Sequence, residues 1–169
     1  MSMVNVAGKN ATSKIDGLTA DCVQPNAVDI TLGKVFRILP TLFEIDAANN
    51  KVPRQVEEVL PDENGFWNLQ PGAYEGIAEQ TVTVGEDEAG YIIPRSSLNR
   101  GNIFLTSGLY DSCYSGVCAF CIHVGTGPMR IQKGTRVGQY LTWKAEALHK
   151  YNGSYGFGTA DDTKYGVTK

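Results

Sequence analysis

Short stretches of β-favouring residues recur along the whole chain of 169 residues, and Gly, Pro or Asn bounds most of them. Runs of this kind, separated by turn residues, predict strands. They lie at 28–32, 35–39, 66–69, 80–84, 91–93, 103–106, 117–124, 129–131 and 137–142. Many short strands between frequent turn signals favour an all-β fold, either a barrel or a jelly roll.

The chain offers only short and weak helical signals. A helical piece is predicted near 7–18, a turn of helix at 51–60, and a turn or two at 98–101. Pro53 limits the second segment, because proline has no backbone N–H to donate within a helix interior. Helices are therefore expected to be minor additions to the sheet.

The length of the chain predicts one domain. A chain of 169 residues can bury a sizeable core without a disulfide scaffold. This domain is expected at 1–150. A tail follows at 151–169, rich in Gly, Thr, Asp and Lys, and it is expected to be flexible because it has few apolar residues to bury.

The charge and hydropathy of the chain exclude several kinds of partner. The net charge of −3 does not attract a nucleic-acid backbone over the whole surface, so no nucleic-acid partner is expected. No apolar run reaches the length of about 18 residues that a membrane span needs. The start of the chain shows no secretory signal, so a cytoplasmic location is expected.

The cysteines pose a choice between a metal site and ordinary thiols. Cys118 and Cys121 have C-x-x-C spacing and are followed by His123, which would suit zinc. Their segment is predicted to be a strand, however, and residues three apart on a strand point to opposite faces. Reduced thiols on or beneath the sheet are therefore the prediction.

Two polar motifs carry groups that suit a nucleotide. Arg95 can hold two phosphate oxygens at once, and Ser96 and Ser97 each add a hydroxyl donor on the same bend. Asp111 and Tyr114 place a carboxylate and an aromatic ring on a glycine-bounded hairpin, which suits an attacking water and a nucleoside. Taken alone, each motif is more often a solvated turn or a plain hairpin.

Together with three further motifs, and in the same order along the chain, these two motifs resemble those of the trimeric dUTPase and dCTP deaminase superfamily. Five motifs carry the resemblance, and they lie at 24–33, 94–98, 108–116, 131–139 and 151–159. The first is similar to the deaminase form, Gln-Pro-x-x-Val-Asp-x-x-Leu-Gly. The resemblance implies a distorted jelly-roll β-barrel of the dUTPase-like type, with short helical segments and a tail that closes over the active site.

The resemblance also implies a role for individual residues. Asp111 would orient the water that attacks the α-phosphorus, and Tyr114 would pack on deoxyribose and disfavour a 2′-hydroxyl. Asp29 would lie near Mg²⁺, which it would contact through water. The phosphate contacts would come from Arg95, Ser96, Ser97 and Gln139.

The tail departs from the dUTPase form of the fifth motif. Phe157 matches the aromatic residue that lies on the base, and Tyr155 replaces a glycine beside it; both are predicted to contact the substrate. Asn152 stands at the position of the motif's arginine, which weakens the predicted grip on the γ-phosphate. Lys150 is the alternative cation, and a tail without a role is the plain alternative.

One position separates the two branches of the superfamily. The deaminase branch carries a glutamate on the strand after the hairpin, and this chain has Cys121 there. A thiol does not easily replace a carboxylate that shuttles protons, and the loss of such a group lowers a rate by about 10²–10⁴-fold. Deamination is therefore disfavoured.

The sequence thus predicts a dUTP diphosphatase that acts with Mg²⁺. The resemblance implies a homotrimer whose sites combine Arg95, Ser96 and Ser97 of one chain, Asp111 and Tyr114 of a second, and the tail of a third. Four alternatives stay open: a dCTP-specific or modified-pyrimidine diphosphatase, a dCTP deaminase, a bifunctional dCTP deaminase and dUTPase, and a nucleotide-binding regulatory protein without activity.

Overall fold

The computed structural model describes residues 2–159 and 164–166, and these are mostly antiparallel strands. The strands are β1 Met3–Val4, β2 Lys14–Asp16, β3 Val28–Ile38, β4 Glu44–Ile45, β5 Lys51–Val52, β6 Val56–Glu58, β7 Phe66–Leu69, β8 Gly72–Thr83, β9 Glu88–Pro94, β10 Ile103–Thr106, β11 Ser115–Val124, β12 Met129–Gln132 and β13 Arg136–Lys144. The helical elements before residue 150 are a 3₁₀ turn at Ala20–Cys22 and the helix α1 at Ser96–Arg100. Within the described part of the chain, no helix is long and apolar enough to cross a membrane.

One curled sheet contains most of the strands. Its main path runs β1-β13-β3-β8-β11-β10, with β2 beside β8, β6 beside β3 and β9 beside β13. The strand β3 changes partner along its length, because residues 28–31 pair with β13 and residues 32–37 pair with β8. This shared strand folds the sheet over on itself. The predicted all-β, jelly-roll type of fold is confirmed.

The change of partner in β3 occurs at a glycine. The register between β3 and β8 shifts between Leu32 and Lys34. A Cβ at Gly33 would lie 3.1 Å from the backbone nitrogen of Glu79, so glycine allows the two backbones to approach closely. The strand continues through this bend. The stretches predicted as two strands, 28–32 and 35–39, are therefore one.

Two of the three predicted helical pieces are wrong. The segment 7–18 contains β2, which pairs with β8, and the segment 51–60 contains β5 and β6, of which β6 pairs with β3. The edges of the long strands offer backbone partners that outweigh a weak helical propensity. The third piece is confirmed as α1, and the strands predicted at 66–69 and 103–106 coincide with β7 and β10.

The main core lies inside the curled sheet. Trp67, Tyr140 and Ile30 are among its largest buried side chains. Tyr140 fits because Gly90 has no side chain, since a Cβ there would lie 1.9 Å from the tyrosine hydroxyl. A second, smaller cluster consists of Phe36, Ile77, Val117 and Tyr165. The tail thus contributes a buried ring to the fold.

The two cysteines with C-x-x-C spacing lie on different faces of β11. Cys118 is fully buried in the main core, and burial raises the pKa of its thiol to about 12. Cys121 is half-buried, whereas Phe120 and Ile122 on either side of it point into the main core. The prediction of a strand with diverging thiols is confirmed.

Candidate active site

A buried carboxylate on β3 gathers three side chains, two from β13 and one from the residue that follows β9. Asp29 is 1% exposed, and its Oδ2 lies 3.3 Å from Nε of Arg95 and 3.4 Å from a terminal guanidinium nitrogen of Arg136. Gln139 donates a hydrogen bond of 3.4 Å to Oδ1. One carboxylate faces two guanidinium groups, so this Asp29 cluster has a surplus of positive charge. Such a cluster suits a phosphate.

The strand register places these side chains. Gln139 is the direct pairing partner of Asp29 on β13, and it also pairs with Ile93 on β9. The backbone N–H of Arg95 donates to the carbonyl of Val137 at 3.0 Å, so the β9–β13 pairing reaches the arginine itself. The helix α1 begins directly afterwards. The guanidinium of Arg95 is thus held between a strand end and a helix start.

A cleft of about 440 Å³ opens beside the Asp29 cluster. Arg95 and Arg136 line it together with the 3₁₀ turn at Ala20–Cys22 and with Glu79 and Gln80 of β8. Both guanidinium groups are about one third exposed, 31% and 33% of their side-chain surface. They remain accessible to a ligand even though their carboxylate partner is buried.

Arg136 is a residue that the sequence reasoning missed. It lies within the fourth motif, where only Gln139 received a role. Its guanidinium donates to the carbonyl of Asp21 at 2.7 Å in addition to pairing with Asp29. The signal was a charged residue at the start of an apolar strand, inside a motif already assigned to phosphate. Ser96 and Ser97 are exposed on α1, and neither belongs to the lining of the cleft.

Asp111 lies on a tight turn at the other predicted motif. The N–H of Tyr114 donates to the carbonyl of Asp111 at 3.0 Å, and Cys113 adopts a φ of 70° between them. A positive φ at the third residue of a turn favours glycine, so Cys113 is strained there. Asp111 itself is exposed. We call residues 111–114 the Asp111 hairpin.

Buried contacts fix the Asp111 hairpin on the sheet. The hydroxyl of Ser112 donates to the carbonyl of Glu88 at 2.7 Å, and the N–H of Cys113 donates to the carbonyl of Val84 at 3.2 Å. Tyr114 is 7% exposed, and its hydroxyl donates to the carbonyl of Val117 at 2.9 Å. Its predicted role against deoxyribose stays a prediction. These hydrogen bonds hold the backbone around Asp111 in place on the sheet.

Glu88 supports the Asp111 hairpin, and no pattern in the sequence pointed to this role. Its fully buried carboxylate accepts hydrogen bonds from the N–H groups of Thr12 and Ser13, at 2.9 and 2.8 Å. Lys144 adds an ion pair of 2.8 Å. Desolvation raises the pKa of Glu88, but the hydrogen bonds from Lys144 and Ser13 together outweigh it, so the pKa lies below its ordinary value.

The tail lies against the Asp111 hairpin. Tyr151 donates its N–H to the carbonyl of Ser112 at 3.0 Å, and its ring contacts that of Tyr114 with centroids 5.4 Å apart. The N–H of Phe157 donates to the carbonyl of Ser115 at 2.8 Å. Residues 160–163 and 167–169 of the predicted tail lie outside the described residues. The predicted contact of Tyr155 and Phe157 with substrate stays a prediction.

The two predicted halves of the site lie apart within one chain. Tyr110, next to Asp111, pairs with Gly90 near the start of β9, whereas Arg95 follows the end of that strand. Arg95 is five positions after Gly90, which corresponds to about 16 Å of extended strand. The structure therefore unites Asp29, Arg95 and Gln139, and it leaves the Asp111 hairpin at the other end of β9.

Comparison with known proteins identifies the family of this chain. A family described as dCTP deaminase-like matches residues 5–145. The chain belongs to this family. A probable deoxyuridine 5′-triphosphate nucleotidohydrolase of Halobacterium salinarum is 28% identical over 155 residues, covering 88% of this chain and 91% of that protein.

Further relatives come from both branches of this dCTP deaminase-like family. A dUMP-forming dCTP deaminase of Persephonella marina is 30% identical over 147 residues, covering 83% of this chain and 81% of the relative. The crystal structure of a dCTP deaminase from Agrobacterium tumefaciens matches the fold with a TM-score of 0.59 and 20% identity, covering 81% of this chain and 45% of that one. The expectation of an enzyme family is confirmed.

The position that separates the two branches has an acidic neighbour in this dCTP deaminase-like chain. Cys121 on β11 stands directly opposite Glu75 on β8. Burial, and then the charge of Glu75, raise the pKa of the Cys121 thiol. The carboxylate of Glu75 is paired with Lys164 at 2.9 Å and accepts a hydrogen bond from the hydroxyl of Tyr165. A carboxylate thus lies beside Cys121, engaged by the tail.

The described part of the chain does not form a Mg²⁺ site by itself. Among the described residues, no group of three or more His, Cys, Asp or Glu side chains is placed to hold a metal ion. Asp29 does not fit a direct ligand, because two guanidinium groups already balance its charge. Mg²⁺ commonly binds through one or two carboxylates and substrate phosphates. The residues here fit Mg²⁺ only as a companion of a bound triphosphate.

Proposed function

We propose that this protein hydrolyses dUTP to dUMP and diphosphate. The observation that carries the proposal is the Asp29 cluster, in which a buried carboxylate orients Arg95 and Arg136 beside an open cleft. Accessible guanidinium groups held in this way suit the phosphate chain of a nucleotide. The name of the Halobacterium salinarum relative supports the choice of dUTP.

Asp111 provides the chemical step of this proposal. The exposed carboxylate orients a water molecule and accepts its proton while the water oxygen attacks the α-phosphorus. The bond from the α-phosphorus to the bridging oxygen breaks, and diphosphate leaves. Mg²⁺, when bound with the phosphates, would neutralise part of their charge. Arg95, Arg136 and Gln139 hold the phosphates in line, and the tail with Tyr155 and Phe157 covers the nucleotide.

A homotrimer with shared sites is part of the proposal. Asp111 lies next to Tyr110, which pairs with Gly90 near the start of β9, whereas Arg95 of the same chain follows the end of that strand. A second copy that brings its Asp111 hairpin to the Asp29 cluster would complete the site. A closed ring of three copies gives each cluster a hairpin from its neighbour.

A second candidate is a dUMP-forming dCTP deaminase. The Persephonella relative bears that name, and Glu75 gives this chain a carboxylate beside Cys121. In such a deaminase, the carboxylate of Glu75 would shuttle the protons of the reaction in place of the Cys121 thiol. Its pairing with Lys164 and Tyr165 would have to open first.

Product analysis separates these functions. The purified protein is incubated with dUTP or dCTP and Mg²⁺, and the base and the phosphates of the products are identified. We expect dUMP and diphosphate from dUTP. Uracil nucleotides formed from dCTP at a comparable rate would favour the deaminase, and binding of dUTP without any product would favour the regulatory protein.

Mixed assemblies test the shared site. Arg95→Ala and Asp111→Asn are each expected to be inactive, and co-expression of the two chains should restore activity at about a quarter of the sites, because neighbouring chains then supply one intact half each. Light scattering should give three chains per particle. A mixture as inactive as its two parents would place both halves of a site on one chain.

A further inference from the structure

A second cleft, of about 380 Å³, lies between the β4–β5 hairpin and the tail. The hairpin contributes Asn49 and Lys51 to its lining, and the tail contributes residues 151–155. The lining is amide, hydroxyl, glycine, tyrosine and one lysine, without a carboxylate. The cleft therefore has a positive charge and many polar groups, which is the character of an anion site.

Lys51 is the cation of this cleft, and the described residues do not neutralise it. Its Nζ lies 5.2 Å from the ring centroid of Tyr155, within the range of a cation–π contact. No carboxylate among the described residues lies within 4.0 Å of it. Lys150, the nearby lysine of the tail, is instead paired with Glu86 at 2.8 Å. Lys51 is thus the lysine that is available to an anion here.

The tail residues that line this cleft also carry backbone donors. The N–H groups of Tyr151 and Tyr155 are bonded, to the carbonyl of Ser112 and to the hydroxyl of Tyr151. The N–H groups of residues 152–154 have no acceptor within the described ranges 2–159 and 164–166. Successive backbone N–H groups are a recurring means of binding phosphate.

The cleft adjoins the candidate active site. Tyr151 forms its wall, and the same residue bonds to Ser112 and contacts the ring of Tyr114 in the Asp111 hairpin. A ligand in the cleft would therefore lie next to the hairpin that carries the proposed catalytic carboxylate.

We propose that this cleft binds a phosphate group, with Lys51 as its cation. The phosphate belongs to the triphosphate substrate or to the diphosphate product, and this part of the inference rests on the proposed function. The β4–β5 hairpin thus places a lysine beside the tail, and the tail residues form the other side of the phosphate site.

Calorimetric titration of the full-length protein tests the site. Inorganic diphosphate and a non-hydrolysable dUTP analogue are the two probes, and Lys51→Ala is compared with Lys51→Arg and with Lys9→Ala. Lys9 is exposed and distant in sequence from Lys51, and its replacement by alanine changes the net charge by the same amount. We expect Lys51→Ala to lower the affinity for one or both probes by about tenfold, which corresponds to the loss of a charge-assisted hydrogen bond. Lys51→Arg should recover most of the affinity, and Lys9→Ala should match the wild type.

The results distinguish the site from the proposed function. Weaker diphosphate binding in Lys51→Ala would support the cleft even if the wild type did not hydrolyse dUTP. A lower affinity for the analogue alone would show that the cleft binds the substrate. A lower affinity for both probes would show that it binds the product as well. Equal affinities of Lys51→Ala and Lys9→Ala for both probes would overturn the cleft, whether or not dUTP is hydrolysed.

Discussion

The Asp29 cluster and the Asp111 hairpin carry the two halves of the proposed site, and they are built in opposite ways. Asp29 is 1% exposed and depends on partners from β13 and from the residue after β9, whereas Asp111 is exposed on a local turn. A charge buried among long-range partners couples binding to folding. An exposed acid can be dedicated to chemistry, because its removal leaves the packing intact. The same substitution should therefore have different consequences at the two positions.

The largest expected effect is on turnover at the hairpin. Asp111→Asn should lower kcat for dUTP by about 10²-fold or more, because the water loses its proton acceptor. Binding of the triphosphate analogue and the melting temperature should change little. Asp16→Asn, a substitution of another exposed aspartate, is the control and should be fully active. Normal turnover by Asp111→Asn would remove the carboxylate from the mechanism.

The matching substitution in the cluster should affect the fold as well. Asp29→Asn leaves Arg95 and Arg136 facing each other without a buried counter-charge, and we expect a loss of about 2 kcal/mol in the free energy of unfolding. This figure is below that of a fully buried pair because both arginines are partly exposed. Urea unfolding and titration with the analogue give stability and affinity. Wild-type stability with weak binding would show that the cluster serves the ligand alone.

Acid should weaken the support beneath the hairpin. The pKa of Glu88 is depressed below its ordinary 4.5, so its contribution to stability is complete above that pH and is lost as the pH falls through the lower, folded value. We expect Glu88→Gln to lower the unfolding free energy by about 1.5 kcal/mol at pH 7, and the difference from the wild type to narrow below pH 4.5. A constant difference across this range would show that Glu88 acts by packing rather than by charge.

The smallest effect concerns the strained residue of the hairpin. Cys113 has a φ of 70°, where glycine has no steric penalty. Cys113→Gly should raise the unfolding free energy by about 0.5 kcal/mol, since the relief of strain exceeds the added chain entropy only slightly. Cys113→Ala also removes the thiol but keeps the Cβ, so it should give no gain. Equal effects of both variants would assign the change to the thiol.

Local signals explain the parts of the protein that the sequence predicted well. The strands at β7 and β10 lie between strong turn residues, and the turn at Asp111 closes within four residues, so both are decided by neighbours in the chain. The helix α1 is also short and local. The residue types of the motifs indicated phosphate chemistry, and the family confirms the resemblance.

Pairing across the chain decided the rest. Asp29 and Gln139 are 110 positions apart and meet only because β3 and β13 pair in one register. A local pattern does not encode such a register, which is why Arg136, the Glu88 network and the position of Lys51 beside the tail escaped prediction. For the same reason the segments 7–18 and 51–60 became strands, since long strands offered them backbone partners. The sequence determined which groups are available for chemistry, and the folded sheet determined which of them meet.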